Sequence, residues 1–266
     1  MPSPSDATRR FSDRVEHYVR ARPGYPETIL AFLETTTGLR LVEGTIVVDV
    51  GSGTGLSSEL FLRGGATVVG VEPNADMRRA AESLLAAYPH FRSIDGRAEE
   101  TTLVAAGADL IVAGQAFHWF DHGAARREFA RITRPPHWVA LMWNTRRVTN
   151  TPLGEAYEGL VAEFGTDYHR VRHENIDPAE LRNFFVAGTY RTARFDNPQT
   201  LGLDGFHSRL LSSSYLPGDG HPQRTAMLDA ATRLFERHQQ DGRVVVEYDT
   251  ELHVGCVSAD AGDSKQ

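Results

Sequence analysis

Asp49, the alternate glycines Gly51, Gly53 and Gly55, and Glu72 form a constellation suited to holding a charged, nucleotide-like molecule. The first four stand in Val47-Val48-Asp49-Val50-Gly51-Ser52-Gly53-Thr54-Gly55; Glu72 follows the apolar run Thr67–Val71, seventeen residues after Gly55. Glycines at such a turn let the backbone approach a ligand, and amides opening a following helix attract its anionic part. The spacing is G-x-G-x-G, and Leu56 stands where a dinucleotide fingerprint requires its last glycine. An acid two residues before the first glycine would also repel a pyrophosphate. It suits the amino-acid end of S-adenosylmethionine, with the ammonium near Asp49 and the carboxylate toward the turn amides. An acid at the position of Glu72 can accept both ribose hydroxyls.

The elements that must position these residues follow from periodicity. Thr45–Val50 is rich in β-branched residues and predicts a buried parallel strand, and residues 56–63 predict the helix after it. Helical periodicity covers about Pro26–Thr35. Strand and helix then alternate from Thr45 to Asn144, with Pro135-Pro136 marking a break before the fifth strand, Val139–Asn144. Beyond Asn144 the alternation stops. A helix is predicted at about 152–164, a strand at about 189–196, a helix from about Leu203, an amphipathic helix over 222–240 and a final strand over Arg243–Val257. The expected fold is α/β: a doubly wound, mostly parallel seven-stranded Rossmann-like sheet. Residues 147–218 are read as a helical insertion covering a substrate site within one domain spanning 9–258. Residues 1–8 and 259–266 are small and polar and are expected to fray.

VVDVGSGTG followed by VVGVEPN resembles the first two motifs of class I S-adenosylmethionine-dependent methyltransferases. Ile94-Asp95-Gly96-Arg97-Ala98-Glu99, then Ala108–Gly114 leading into Gln115-Ala116-Phe117-His118-Trp119-Phe120, then Val139–Asn144, fit the same pattern. The G-x-A-E and Q-A-x-H-W-F segments are similar to the trans-aconitate methyltransferase-like branch. So are Phe11…Tyr18…Arg22-Pro23-Gly24-Tyr25-Pro26 and Leu211-Ser212-Ser213-Ser214-Tyr215-Leu216-Pro217. The resemblance implies cofactor roles for Asp49, Gly51, Gly53, Gly55 and Glu72. Pro73 and Met77 would pack on the adenine, Ala98 and Glu99 would lie at its edge, and Gln115 would end the fourth strand at the ligand-binding edge. Met77 could equally be core packing; for Glu99 a solvated acid is the lesser alternative.

The bulk properties restrict the class. The 266 residues, 41% of them hydrophobic, suffice for an elaborated domain with a substantial core. The lone Cys256 excludes an internal disulfide, and no apolar run reaches the ~20 residues of a membrane span. The opening MPSPSDATRRFSDR has no apolar signal region, so a soluble cytoplasmic protein is expected. A formal net charge of −7 argues against broad nucleic-acid binding. The expected partner is a small molecule.

Methyl transfer from a sulfonium is an in-line displacement that depends on alignment in a dry site. A carboxylate acceptor needs no general base, whereas a phenol or alcohol does. His118 is the candidate catalytic base or positioner, its alternative being a structural histidine beneath Trp119 and Phe120. Tyr18, Arg22, Tyr25, Trp119 and Trp143 are candidates for the acceptor pocket, and the aromatic ones could equally be core. Arg22, Arg146 and Arg147 could clamp an anionic acid; solvated arginines are the alternative, favoured for Arg146 and Arg147. His169 and His173 lack the H-E-x-x-H arrangement and an obvious third ligand, so no metal is expected. Gly114-Gln115-Ala116-Phe117 replaces the [DN]-P-P-[YF] element of amino-group methylation, and no Pro-Cys nucleophile is present. The sequence thus predicts methyl transfer to a small-molecule acceptor, preferentially a carboxylate or hydroxyl oxygen. Nitrogen or carbon methylation and a non-catalytic S-adenosylmethionine sensor stay open, with a NAD-dependent oxidoreductase a distant third.

Overall fold

Short β-branched runs bounded by glycine form the centre of a sheet, and helices cover both of its faces. The computed structural model describes residues 21–149, 151–165, 178–213 and 215–259. Tyr18, His169, His173 and the segments 1–8 and 260–266 lie outside them. In chain order the elements are α1 (Thr28–Thr37), β1 (Ile46–Val50), α2 (Leu56–Arg63), β2 (Thr67–Val71), α3 (Ala75–Leu84), β3 (Phe91–Ile94), β4 (Ala108–Gly114), α4 (His122–Ile132), β5 (Thr133–Arg146), α5 (Pro152–Phe164), α6 (Pro178–Phe184), β6 (Arg191–Asp196), β7 (Gln199–Leu201), α7 (Leu203–Leu211), α8 (Arg224–His238), β8 (Val244–Val246) and β9 (Tyr248–Cys256). A 3-10 turn, Phe117–Trp119, lies between β4 and α4.

Seven strands form one sheet in the order β3-β2-β1-β4-β5-β9-β6. The pairs β1–β2, β1–β4, β2–β3 and β4–β5 are parallel. Strand β9 runs against β5: Val257 N–H bonds the His137 carbonyl, while the His253 ring lies 5.4 Å from that of Trp143. The predicted sheet is therefore present, mostly parallel, with its antiparallel strand toward one edge. Pro135-Pro136 falls inside β5 rather than before it, at a register irregularity where Ala108 faces Thr133 and Leu110 already faces Trp138. The two prolines are exposed there, where a missing ladder donor costs little. The single final strand expected over 243–257 is two strands. β8 pairs antiparallel with β7, a three-residue strand too short for periodicity to reveal.

The chain divides into two compact units. Among the described residues the sheet unit comprises 24–143, 178–195 and 251–259; the helical unit comprises 21–23, 144–149, 151–165, 196–213 and 215–250. In the sheet unit, alternate side chains of each strand enter different cores, the period-2 rule of a pleated strand. Val48, Val50, Ile111 and Ala113 pack with Phe129 and Ile132 of α4 and with Leu181 and Phe184 of α6. Val47, Leu110 and Val112 pack with Ile29 and Leu33 of α1 and Leu60 and Phe61 of α2. That alternation turns Asp49 toward the α2 side. The helical unit has its own core of Tyr157, Val161, Phe206, Leu210, Met227 and Ala231 from α5, α7 and α8, closed by Val244 and Val246. It extends beyond residue 218, taking in α8 and β8, the partner of β7.

Candidate functional site

The site begins with Asp49, fully buried near the end of β1. One turn into α2, the Ser57 and Ser58 hydroxyls each donate to its Oδ2 at 2.7 Å. Oδ1 is buried and has no hydrogen-bond partner among the described residues. Burial pushes the carboxyl up to about 6, against the lowering effect of the serine hydroxyls. A buried acid with one open oxygen is an acceptor for a cationic or hydrogen-bond-donating ligand.

Glycines shape the turn that follows for different reasons. Gly51, Gly53 and Gly55 all have positive φ, at 69°, 54° and 87°. A Cβ at Gly51 would lie 2.5 Å from the Ala116 Cβ, and one at Gly55 would lie 2.6 Å from Leu85 Cδ1. Gly53 faces open space, with nothing within 4 Å of a would-be Cβ. Packing thus requires glycine at 51, positive φ favours it at 55 where only the end of the Leu85 side chain must give, and Gly53 keeps ground clear on the turn.

Glu72, just past β2, is tied to the same turn. Its Oε2 accepts from Gly53 N–H at 3.0 Å and its Oε1 from Asn74 N–H at 2.8 Å. Burial raises its pKa, against the effect of these amides and of Arg78. Asn74 caps α3 by accepting from the Asp76 and Met77 amides, so Pro73 and Met77 sit on a fixed corner beside Glu72. Met77 is buried and Pro73 is half-buried.

The strand β4 brings a third set of groups. Gln115 directly after it has φ 58°, a left-handed conformation uncommon outside glycine, asparagine and aspartate, held by its N–H bond to the Met142 carbonyl at 2.9 Å. Tyr25 comes close here: a Cβ on Gly114 would lie 2.5 Å from its hydroxyl and 3.0 Å from Ser57 Oγ. The turn carrying His118 packs on the glycine turn, since Gly51 meets Ala116 and has the Phe120 ring 3.5 Å from its Cβ position. His118 and Trp119 are half-buried with ring centroids 4.9 Å apart. Ala98 is buried, and Glu99 Oε1 accepts from Asp121 N–H at 2.8 Å, next to the cap of α4.

Structure therefore brings Asp49, the three glycines, Glu72, Gln115, Tyr25 and the His118 turn together in the sheet unit. Trp143 is buried in the core, edge-on to Phe117 and His253. Arg22 belongs to the helical unit, where Nη2 donates to the Ser212 carbonyl at 3.0 Å. Arg147 is bound to Asp196, Glu247 and Asp249. Arg146 is not a solvated surface residue: it is buried over the Tyr157 ring and paired with Glu158. Sequence reading missed Ser57, Ser58 and Asn74. The signal for the serines was present, because the first turn of a helix leaving a glycine loop faces the strand that precedes it. Among the described residues no group of His, Cys, Asp and Glu could hold a metal, and no helix is long and apolar enough to cross a membrane.

Residues 48–141 match the methyltransferase domain family. The chain is 35% identical over 236 residues to an uncharacterized methyltransferase of Mycobacterium tuberculosis strain H37Rv, covering 88% of each chain. It is 28% identical over 178 residues to the ubiquinone biosynthesis O-methyltransferase of Paracidovorax citrulli, covering 63% of this chain and 70% of that one. A structure from Anaeromyxobacter dehalogenans, proposed as a type II methyltransferase, shares the fold with a TM-score of 0.63 at 20% identity, over 88% of this chain and 97% of that one. With the glycine turn, Asp49 and the sheet order in place, the chain belongs to the class I S-adenosylmethionine-dependent methyltransferases.

Proposed function

We propose that this methyltransferase acts on a small-molecule acceptor at a carboxylate or hydroxyl oxygen. The observation that carries the reading is the packing of Ala116 and Phe120 on Gly51, which sets the His118 turn against the cofactor turn. The residues fit the cofactor. Asp49 Oδ1 is the open buried acceptor for an ammonium, and Gly53 is the open face of the turn. Glu72, fixed by two amides, would take ribose hydroxyls on its remaining lone pairs. Pro73 and Met77 would hold the adenine, with Ala98 and Glu99 at its edge. Bound S-adenosylmethionine supplies an electrophilic methyl group on a sulfonium. The chain's residues supply orientation, exclusion of water and, for a hydroxyl acceptor, a proton acceptor at the His118 imidazole.

Gly114-Gln115-Ala116-Phe117 lacks the Asn or Asp that would hold an amino group, which favours oxygen over nitrogen. The name of the Paracidovorax citrulli relative, an O-methyltransferase, supports the same choice. Tyr25, Trp119 and His118 are the proposed acceptor-side residues of the sheet unit. Incubating the protein with methyl-labelled S-adenosylmethionine and matched carboxylic acids, phenols and amines tests the proposal. Label on an acid or phenol is expected; label on amines alone would overturn it.

A further inference from the structure

The helical unit holds a pair of buried guanidiniums that the cofactor chemistry does not use. Arg209, on α7, is 5% exposed. Its hydrogen-bond partners among the described residues are all hydroxyls: Nε donates to Tyr248 Oη at 2.7 Å, and Nη1 to Ser212 Oγ at 3.3 Å and Ser213 Oγ at 3.2 Å. No acid among those residues pairs with it. Arg146, the last residue of β5, lies 4.0 Å over the Tyr157 ring and reaches Glu158 through Nη2, while its Nε is buried without a hydrogen-bond partner. The fully buried Tyr157 hydroxyl also has none. Burial pushes this phenol up to about 12, so it stays a neutral O–H donor near pH 7. Tyr157 and Tyr248 share one buried core, so Arg146 over the first and Arg209 bonded to the second stand in the same interior.

A guanidinium stripped of water and left without an acid opposes folding, as does a buried donor without an acceptor. An anionic ligand answers both. Ser212 and Ser213, part of a motif whose role sequence reading left open, hold Arg209 in place, and Arg22 fixes the Ser212 carbonyl.

We propose that Arg146, Arg209 and Tyr157 form an anion-binding site for the carboxylate of a small organic acid. The donors left open, Arg146 Nε–H and the Tyr157 O–H, match the two oxygens of a carboxylate. Two guanidiniums beside these open donors favour an anion over a neutral ligand. Identifying the acid as the methyl acceptor rests on the proposed function; the binding itself does not.

The test uses the full chain, with thermal shift and calorimetric titration of benzoate, succinate and citrate. Benzamide and succinamide are the neutral controls, inorganic phosphate is the competing anion, and S-adenosylhomocysteine is a separate titrant. At least one acid is expected to bind tenfold or more tightly than the neutral controls. Tyr157→Phe removes a hydroxyl that bonds nothing, so it should fold and melt at or above the wild-type temperature while weakening the acid about tenfold. Arg209→Gln should weaken it further. Acids binding no better than amides, phosphate binding in their place, or full acid affinity in a folded Tyr157→Phe protein would each overturn the site. S-adenosylhomocysteine affinity reports separately on the cofactor reading, and its loss with acid binding intact would count against that reading alone.

Discussion

Asp49→Asn should make the ligand-free protein gain stability on wild type as pH rises to neutrality, while abolishing cofactor binding. Burial holds the Asp49 carboxyl at about 6, against an ordinary value of 3.8. The folded state therefore keeps this proton to higher pH than the unfolded chain. Its contribution to stability is full below pH 3.8 and is lost as pH rises through about 6. The difference of about two decades in acidity is worth about 3 kcal/mol at ~1.4 kcal/mol per decade. Asparagine is isosteric and its carbonyl oxygen still accepts from Ser57 and Ser58, so it removes the charge and keeps those two bonds. Its NH2 takes the place of Oδ1 without a partner among the described residues, at a pH-independent cost of about 1–3 kcal/mol. At ~2–4 °C per kcal/mol for a chain of this size, the variant should gain roughly 6–12 °C on wild type between pH 4 and pH 7.5. Thermal melts of both proteins between pH 4 and 8, without ligand, should show the variant gaining on wild type as pH rises through about 6. Calorimetry should show S-adenosylhomocysteine binding in the wild type only. An Asp49→Asn protein that gains nothing on wild type as pH rises would show that the ionised carboxylate serves the fold, and would remove the argument for a ligand cation at this position.

The glycine turn gives a paired prediction. Gly51→Ala drives a Cβ into Ala116 and should cost about 2 kcal/mol or more by overpacking and positive-φ strain, read as a lower melting temperature. Gly53→Val meets no protein atom at its Cβ, so it should cost only its backbone strain yet abolish S-adenosylhomocysteine binding, read by calorimetry. His118→Ala should leave that binding intact and lower turnover with a phenol at least tenfold, while leaving turnover with a carboxylic acid within severalfold; equal rates with the phenol would remove His118 from the mechanism. Glu128 supplies an acid limb. Burial works against its ionisation, but Arg131 and Thr101 outweigh burial and hold it at about 2. Its stabilisation is present above pH 4.5 and lost as pH falls through about 2, so Glu128→Gln should cost about 2–3 kcal/mol at neutral pH and progressively less in acid melts.

Leu56–Arg63 and Thr67–Val71 coincide with the elements expected from periodicity, because long apolar stripes next to glycine leave little freedom. The cofactor turn was legible for a related reason. Three glycines and two acids there satisfy constraints that few other residues could. The Tyr157–Arg146–Arg209 group was not, since arginines are read as surface residues unless a partner adjacent in sequence betrays them. Arg209 meets Tyr248 from thirty-nine positions away, and no local pattern encodes that meeting. Trp143 shows the same limit. Its place at the end of the fifth strand fitted a pocket wall or a core residue equally well, and only the rings of Phe117 and His253 around it put it in the core. The strand β7 escaped because three residues carry no readable period.

Transfer of a labelled methyl group from S-adenosylmethionine, followed in wild type and in Gly53→Val, tests the account most directly. Label should appear on an oxygen of a small acid or phenol with wild-type protein, and none should appear with Gly53→Val although that variant is folded. Label on nitrogen alone, equal labelling by the variant, or tight S-adenosylhomocysteine binding with no transfer to any acceptor class would contradict oxygen-directed methyl transfer at the Asp49–Glu72 turn.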